Sequence, residues 1–431
     1  LLGEFFTSFT RRSATFITMQ FHETTLSNGL RIIAELNDQA HSVATGFFVK
    51  AGSRDESLDV AGVSHFLEHM VFKGTPRRDA LEVNRDFDRV GAKHNAQTSE
   101  EDTVYHFTCL PEYLPKAFDV LADILRPSLR EEDFETEKKV IIEEIRMYLD
   151  SPMSVAYEAV KALHFGGHSL GQSILGTVES ITDLPVDKMR NYFAKYYSPS
   201  NIVLAFAGKS NWDELVAMAE AKCGAWSMGT AERVTPPPRG TGDFQAILRA
   251  EDMQQTLITM TDGPALESDD RYAAHLLSTI LGDHTGSRLY WGLIDPGYAD
   301  AGEMGYQDYN QAGMFYTFVS CEPDEAQANL ERVAEIYRAV MTEGVTEAEL
   351  NQAKNKVLAR NVIRSERPMG RLMSLGYQWT YRREYMTIED EMDLYTKVTV
   401  ADIRRVLDSY PLLPQTIVSV GPTTDLHPPQ V

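Results

Sequence analysis

Residues 135–153, ETEKKVIIEEIRMYLDSPM, align without a gap on residues 351–369, NQAKNKVLARNVIRSERPM, at an offset of 216. Further along, LPVDKMRNYFAKYYSPSNIVLAFAG (184–208) matches the pattern of VTVADIRRVLDSYPLLPQTIVSVGP (398–422). In both copies a Val-containing segment opens an amphipathic helix and a β-branched apolar strand closes the unit. A chain that repeats itself in this order is built twice from one unit. Near the midpoint, SMGTAERVTPPPRGTG (227–242) carries three consecutive prolines, which no helix interior or central strand accommodates. The expected organisation is an extension over 1–18, a first half over 19–226, a linker over 227–242 and a homologous second half over 243–431.

Each half opens with strand-like segments: GLRIIAEL and VATGFFVKAG in the first, QTLITMT and AGMFYTFVSC in the second. Helical patterns such as EYLPKAFDVLADIL and DEAQANLERVAEIYRAVMTEG follow. The fold class is therefore α+β, with an antiparallel sheet covered by helices in each half.

Charge and cysteine content narrow the function. The formal net charge of -22 disfavours a nucleic-acid partner, which needs clustered Lys and Arg, and admits basic peptides. Cys109, Cys223 and Cys321 lie far apart with no CxxC spacing, so a disulfide framework or a cysteine zinc site is not expected and a reducing compartment is. No apolar run reaches the length of a membrane span. The first 18 residues, with Arg11, Arg12 and hydroxyl residues, read either as a targeting segment or as an upstream extension.

The chemistry concentrates in GVSHFLEHMVFKGT (62–75). On a helix, His65 and His69 occupy one face and can share one ion. Neutral imidazole suits zinc, and Glu68, one residue before the second histidine, is placed to act as a base toward water. This H-x-x-E-H order inverts the more familiar H-E-x-x-H. A third ligand is sought on FETEKKVIIEEIRMY, where Glu137 and Glu144 share a helix face and Glu143 points about 100° away from Glu144. Val140, Ile141 and Ile145 mark a buried side of this helix, and carboxylates bordering a buried side need partners. A solvated glutamate-rich surface is the competing reading. The repeat bears on it: Glu137 falls on Ala353 and Glu144 on Arg360, and the second half has no H-x-x-E-H. One half reads as catalytic and the other as structural.

The segments LSNGLRIIAE, AGSRDE, HFLEHMVFKGT, GAKHNAQTSEEDTVYHF, EKKVIIEEI and YYSPSNIVLAFAG, with the two-half layout, resemble the pitrilysin-like metallopeptidases. The likeness is to the shorter branch that includes mitochondrial processing peptidase β-subunits and their bacterial relatives. That resemblance implies that His65, His69 and Glu144 hold Zn2+, that Glu68 is the catalytic base and that Glu137 is a second glutamate supporting the site. It implies that Asn95 and Ala96 lie on an edge strand that binds peptide by strand addition. It also implies a homodimer, or a heterodimer with a related subunit, enclosing a chamber that admits unfolded peptides. The compartment expected is a bacterial cytoplasm, with a mitochondrial matrix as the alternative. Two further readings stand beside a general endopeptidase: a processing peptidase trimming targeting presequences, and a non-catalytic subunit of a larger complex. One departure is visible. Many active relatives carry an arginine and a tyrosine seven apart in the second half, where SRLYWGLIDPGYADA (287–301) has Ile294 and Ala301, or Asp300 with a gap. Tyr298 is out of register, and Arg288 and Tyr290 read as helix-packing residues.

Overall fold

The computed structural model of the chain describes residues 19–229, 231, 233 and 237–430. The extension over 1–18 and part of the proline run lie outside the described residues.

The first half contains β1 (Gln20–Thr25), β2 (Arg31–Leu36), β3 (Val43–Val49), α1 (Val63–Val71), α2 (Ala80–Arg89), β4 (Lys93–Thr98), β5 (Thr103–Cys109), α3 (Leu114–Ile124), α4 (Glu131–Leu149), α5 (Pro152–Phe165), α6 (Val178–Asp183), α7 (Val186–Tyr196), β6 (Ile202–Gly208) and α8 (Trp212–Cys223). The second contains β7 (Phe244–Leu248), β8 (Gln255–Asp262), α9 (Asp270–Gly282), β9 (Ala301–Tyr309), β10 (Ala312–Cys321), α10 (Ala326–Glu343), α11 (Glu347–Ser365), α12 (Pro368–Tyr381), α13 (Ile388–Lys397), α14 (Val400–Ser409) and β11 (Thr416–Gly421). The repeat read from the sequence is carried most closely by one pair of helices. At the offset of 216 the bounds of α4 and α5 fall on those of α11 and α12.

The strand orders are β1-β2-β6-β3-β5-β4 and β7-β11-β8-β10-β9. Both sheets are antiparallel as expected, apart from one pair of strands in each. β6 runs parallel to β2, and β11 runs parallel to β7. In each half the last strand returns after a run of helices and inserts between two early strands, so it must run parallel to one neighbour and antiparallel to the other. Central position also explains the composition of β6, where all seven residues of IVLAFAG are buried.

Both faces of each sheet are covered, and the two coverings have different origins. In the first half, Ile32, Phe47, Leu204 and Phe206 pack with Phe66, Phe118 and Phe134 of the same half. On the opposite face, Ile33, Ala44, Phe48, Val203 and Ala205 pack under Leu372 and Leu375 of α12, which belongs to the second half. The reverse holds as well. Ala156, Val160 and Phe165 of α5 cover Ile258, Met260, Met314, Val418 and Val420 of the second sheet. Each half thus lends the other a helix, and the two loans are equivalent positions of the repeat. Gly376 permits the close approach of α12, since a Cβ there would stand 2.0 Å from Phe48 Cζ.

Charged groups lock this exchange. Arg371 on α12 pairs with Glu35 on β2, its Nε donating to Oε1 at 2.8 Å, with both side chains almost fully buried. Arg233 of the linker donates to Asp55 Oδ1 at 2.8 Å, and Asn310 N donates to Glu101 Oε2 at 2.9 Å. Among the described residues no helix is long and apolar enough to cross a membrane. The three cysteines are free and buried.

Candidate metal centre

The site begins with how α1 starts. Its N-cap is Gly62 at φ +89°, where a Cβ would stand 2.4 Å from Leu175 O. Only glycine tolerates that backbone in that space. The glycine offers no side chain to cap the helix, and Glu56 does so from outside. Its Oε2 accepts from Gly62 N at 2.6 Å and its Oε1 from Ser64 N at 2.7 Å. Burial pushes the Glu56 carboxyl up to about 7, against the pull of those hydrogen bonds.

One turn of helix separates His65 from His69, and both Nε2 atoms face Glu144 of α4. His65 Nε2 lies 3.8 Å from Glu144 Oε1, and His69 Nε2 lies 3.7 Å from Oε2. The structure therefore brings together the two histidines and the one glutamate singled out among three. Glu143 points away, 70% exposed, and pairs with Arg146. Val140 departs from expectation: it is 47% exposed, while Ile141 and Ile145 are buried. The buried side of α4 centres on Phe134, Ile141 and Ile145, spaced seven and four, and residue 140 is turned about 100° from Ile141.

Glu137 sits behind His69. Its Oε1 is 2.9 Å from His69 Nδ1 and its Oε2 is 2.5 Å from Lys73 Nζ. Burial alone would raise the Glu137 pKa, but the hydrogen bonds to His69 and Lys73 outweigh it and bring it down. The same bond holds the His69 ring with Nε2 turned to Glu144. His65 lacks such a partner: its Nδ1 is buried without a hydrogen bond. Burial, then the neighbouring His69, lower the His65 pKa to about 4, so this imidazole is neutral at pH 7. For His69, burial lowers the pKa, yet the bond to Glu137 and the charges of Glu144, Glu137 and Glu68 leave it raised. Three carboxylates surround the two imidazoles and Lys73 offsets one of them, so the site attracts a cation.

Glu68 projects beside this trio without belonging to it. Thr98 Oγ1, at the end of β4, donates to Glu68 Oε2 at 2.7 Å. Burial raises the Glu68 pKa, and the Thr98 bond opposes the rise. β4 pairs only with β5 among the described strands, so its outer edge, with Asn95 and Ala96, is open beside α1. Sequence reading passed over Thr98, Lys73 and Glu56. Lys73 stands four residues after His69, the spacing of helix neighbours, which was a usable signal. Nothing local pointed to Thr98 or Glu56, since each acts on a residue remote in sequence.

The donor set fits zinc. Two imidazole nitrogens and one carboxylate oxygen lie within 4.8 Å of one another, three of the four donors of a tetrahedral zinc. Tetrahedral bonds of about 2.0–2.2 Å place donors roughly 3.3–3.6 Å apart, a few tenths of an ångström closer than the two histidine–glutamate distances of 3.8 and 3.7 Å. In the second half the equivalent of Glu144 is Arg360, which donates to Asp283 Oδ1 at 2.5 Å, with Lys356 on Oδ2 at 2.6 Å. That position is an ion pair, not a ligand set. Arg288 is likewise committed to packing, donating to Glu349 Oε1 at 2.8 Å and to Gly344 O at 2.9 Å. Ile294 and Ala301 supply no polar side chain, and Tyr298 lies against the Arg332 guanidinium.

Comparison with known proteins agrees with this layout. Residues 31–178 match the family described as insulinase (peptidase family M16), and residues 183–357 match the peptidase M16 inactive domain. An uncharacterized zinc protease of Streptomyces coelicolor is 30% identical over 412 residues, spanning 93% of this chain and 90% of its own. A protease from Helicobacter pylori superposes with a TM-score of 0.87 at 21% identity, over 94% of this chain and all of its own. A chain of respiratory complex III from Candida albicans superposes with a TM-score of 0.80 at 18% identity, over 94% of this chain and 96% of its own.

Proposed function

Because the chain belongs to the M16 peptidase family, we propose that it is a zinc-dependent endopeptidase that hydrolyses unfolded peptides. The observation that carries this reading is the convergence of His65 Nε2 and His69 Nε2 on Glu144, with Glu68 held free of the trio by Thr98.

His65, His69 and Glu144 would hold the ion. Zinc bound there would supply Lewis acidity toward water and a peptide carbonyl. Glu68 takes the proton of the attacking water and passes it to the leaving amine. Burial raises its pKa toward the range in which a carboxyl both accepts and returns a proton. Glu137 is a positioning residue, since it acts through His69. The open edge of β4, at Asn95 and Ala96, pairs with the backbone of an extended peptide, which reads main chain and leaves sequence preference loose.

The same reading extends to assembly. Two such chains, identical or related, pair to enclose the site in a chamber, and the polar groups absent at Ile294 and Ala301 are dispensed with or come from another residue of this chain or from the partner. The -22 charge makes basic peptides the favoured substrates. Relatives of bacterial origin favour a bacterial cytoplasm over a mitochondrial matrix. A processing peptidase for presequences is the narrower version of this function. A non-catalytic subunit is the alternative that the complex III likeness keeps in view, and the complete His-His-Glu set with its adjacent base weighs against it.

The test is cleavage of an unfolded basic peptide by wild type and Glu68→Gln, with bound zinc measured in both. Wild type is expected to cleave, and the variant to keep zinc while losing about 10²–10⁴-fold in rate. Absence of zinc from both overturns the site assignment. Zinc-loaded but silent wild type overturns the self-sufficient enzyme and directs the search to a partner chain.

A further inference from the structure

The two histidines are oriented unequally. His69 has Glu137 on its second ring nitrogen, at 2.9 Å, while His65 Nδ1 is buried with no hydrogen bond. A ring without a partner is aimed by its backbone and its packing alone. The backbone of His65 is fixed with unusual care. Gly62 N and Ser64 N, the latter immediately before His65, both donate to the one carboxylate of Glu56, at 2.6 and 2.7 Å. Ser64 Oγ is also 2.7 Å from Tyr192 OH.

Several other helices are capped from within, while α3, α4, α7, α9, α10 and α12 have no side-chain cap among the described residues. Asp79, Ser151, Asn211, Thr346, Thr387 and Thr399 each cap their own helix with the N-cap side chain. On α1 that position must be glycine, so the cap comes from a residue six before it. Glu56 is 4% exposed, and a buried carboxylate is a demanding way merely to satisfy two amides. Its two oxygens meet two of the unpaired backbone N–H groups of the first turn, which holds the start of α1 in place.

We infer that Glu56 is a positioning residue of the metal site, setting His65 through the backbone as Glu137 sets His69 through the ring. The inference rests on the assignment of His65, His69 and Glu144 as zinc ligands. Replacing the carboxylate by an amide leaves one acceptor oxygen for two backbone donors and lets the first turn of α1 shift, and no hydrogen bond from the described residues to His65 Nδ1 holds its ring in place.

The test compares zinc affinity, by competition with a chromophoric chelator, in wild type, Glu56→Gln and Thr346→Ala. The last removes a cap from the second half and serves as the stability control. Glu56→Gln is expected to weaken zinc binding on the order of 10–100-fold, the usual effect of losing a supporting group around a metal. Thr346→Ala is expected to lower the melting temperature and leave zinc affinity unchanged. Cobalt in place of zinc gives a second readout: its visible absorption bands shift in Glu56→Gln and not in Thr346→Ala. Should Glu56→Gln fail to fold, Glu56→Asp retains the charge on a shorter arm and is expected to weaken zinc binding by a smaller factor. Wild-type zinc affinity in a folded Glu56 variant, or equal weakening in Thr346→Ala, overturns the inference. Failure of wild type itself to bind zinc overturns the ligand assignment, and the inference falls with it.

Discussion

Glu137→Gln is a nearly isosteric change that removes one charge from behind a metal ligand. In the wild type Glu137 Oε1 is 2.9 Å from His69 Nδ1 and Oε2 is 2.5 Å from Lys73 Nζ, with Glu137 4% exposed. The amide oxygen of Gln still accepts from Nδ1–H, but as a neutral group. A hydrogen bond to a charged partner contributes about 1.5–3 kcal/mol and a neutral one about 1 kcal/mol, so the variant loses roughly 0.5–2 kcal/mol of orientation and ligand basicity. At tenfold per 1.4 kcal/mol, zinc affinity is expected to fall by about 2–30-fold. Lys73 adds to the loss, because its ammonium is left facing the site without its counter-charge; at 35% exposed it is partly screened. The assay is a chelator-competition titration of zinc for wild type, Glu137→Gln and the double variant Glu137→Gln/Lys73→Gln. The double variant is expected to recover part of the affinity, since the stranded charge is gone. Unchanged zinc affinity in Glu137→Gln, with a fall in turnover, refutes the reasoning, for it places Glu137 on the substrate rather than behind His69.

Two further outcomes concern stability. Arg371→Met leaves Glu35 charged and buried on β2 with only Tyr385 OH as a donor, and is expected to destabilise by about 3–5 kcal/mol in denaturant titration. Replacing Glu35 by Leu in the same chain is expected to restore most of it, and a single-variant loss below about 1 kcal/mol contradicts the account. Glu349 carries a pH signature. Burial disfavours its charge, yet hydrogen bonds from Arg288 and Thr346 bring its pKa down to about 2 from 4.5. A depressed acid stabilises the fold above its unfolded pKa and loses that contribution as pH falls through the folded one. Glu349→Gln should therefore cost roughly 1–2 kcal/mol at pH 7, with a melting-temperature gap that narrows as pH drops below about 4.5. A gap that widens toward acid pH counts against the ion pair.

Much of the layout was legible because the unit is written twice. A gapless offset over 135–153, which spans most of α4 and the start of α5, marked the counterparts α11 and α12, and the absence of Glu137 and Glu144 from the second copy pointed to the first half as the one with the candidate site. The histidine pair could be read because helical spacing links His65 to His69 locally; spacing leaves Glu137 and Glu144 on one face, and it was the family resemblance that pointed to Glu144 as the third proposed ligand. What escaped was non-local. The parallel insertion of β6 and β11 depends on where a strand returns, which periodicity along the chain does not encode. The exposure of Val140 was missed because an apolar residue on an amphipathic helix was assigned to the core by type, although its angular offset from Ile141 turns it outward. Thr98 and Glu56 reach the site from loop and strand ends 30 and 8 residues away from the groups they hold. A hydroxyl or a carboxylate in such a place carries no pattern of its own.

The exchanged helices have a consequence in time. From Gly208, where β6 ends, to Pro368, where α12 begins, is about 160 residues of chain. At synthesis rates of about 5–20 residues per second, α12 follows β6 by about 8–32 s. For that interval Ile33, Ala44, Phe48, Val203 and Ala205 form a finished apolar surface whose cover has not yet been made. α5, already synthesised, waits in turn for the sheet on which it will lie. Neither half covers both faces of its own sheet, and one apolar face of the first half stays uncovered until translation is nearly over.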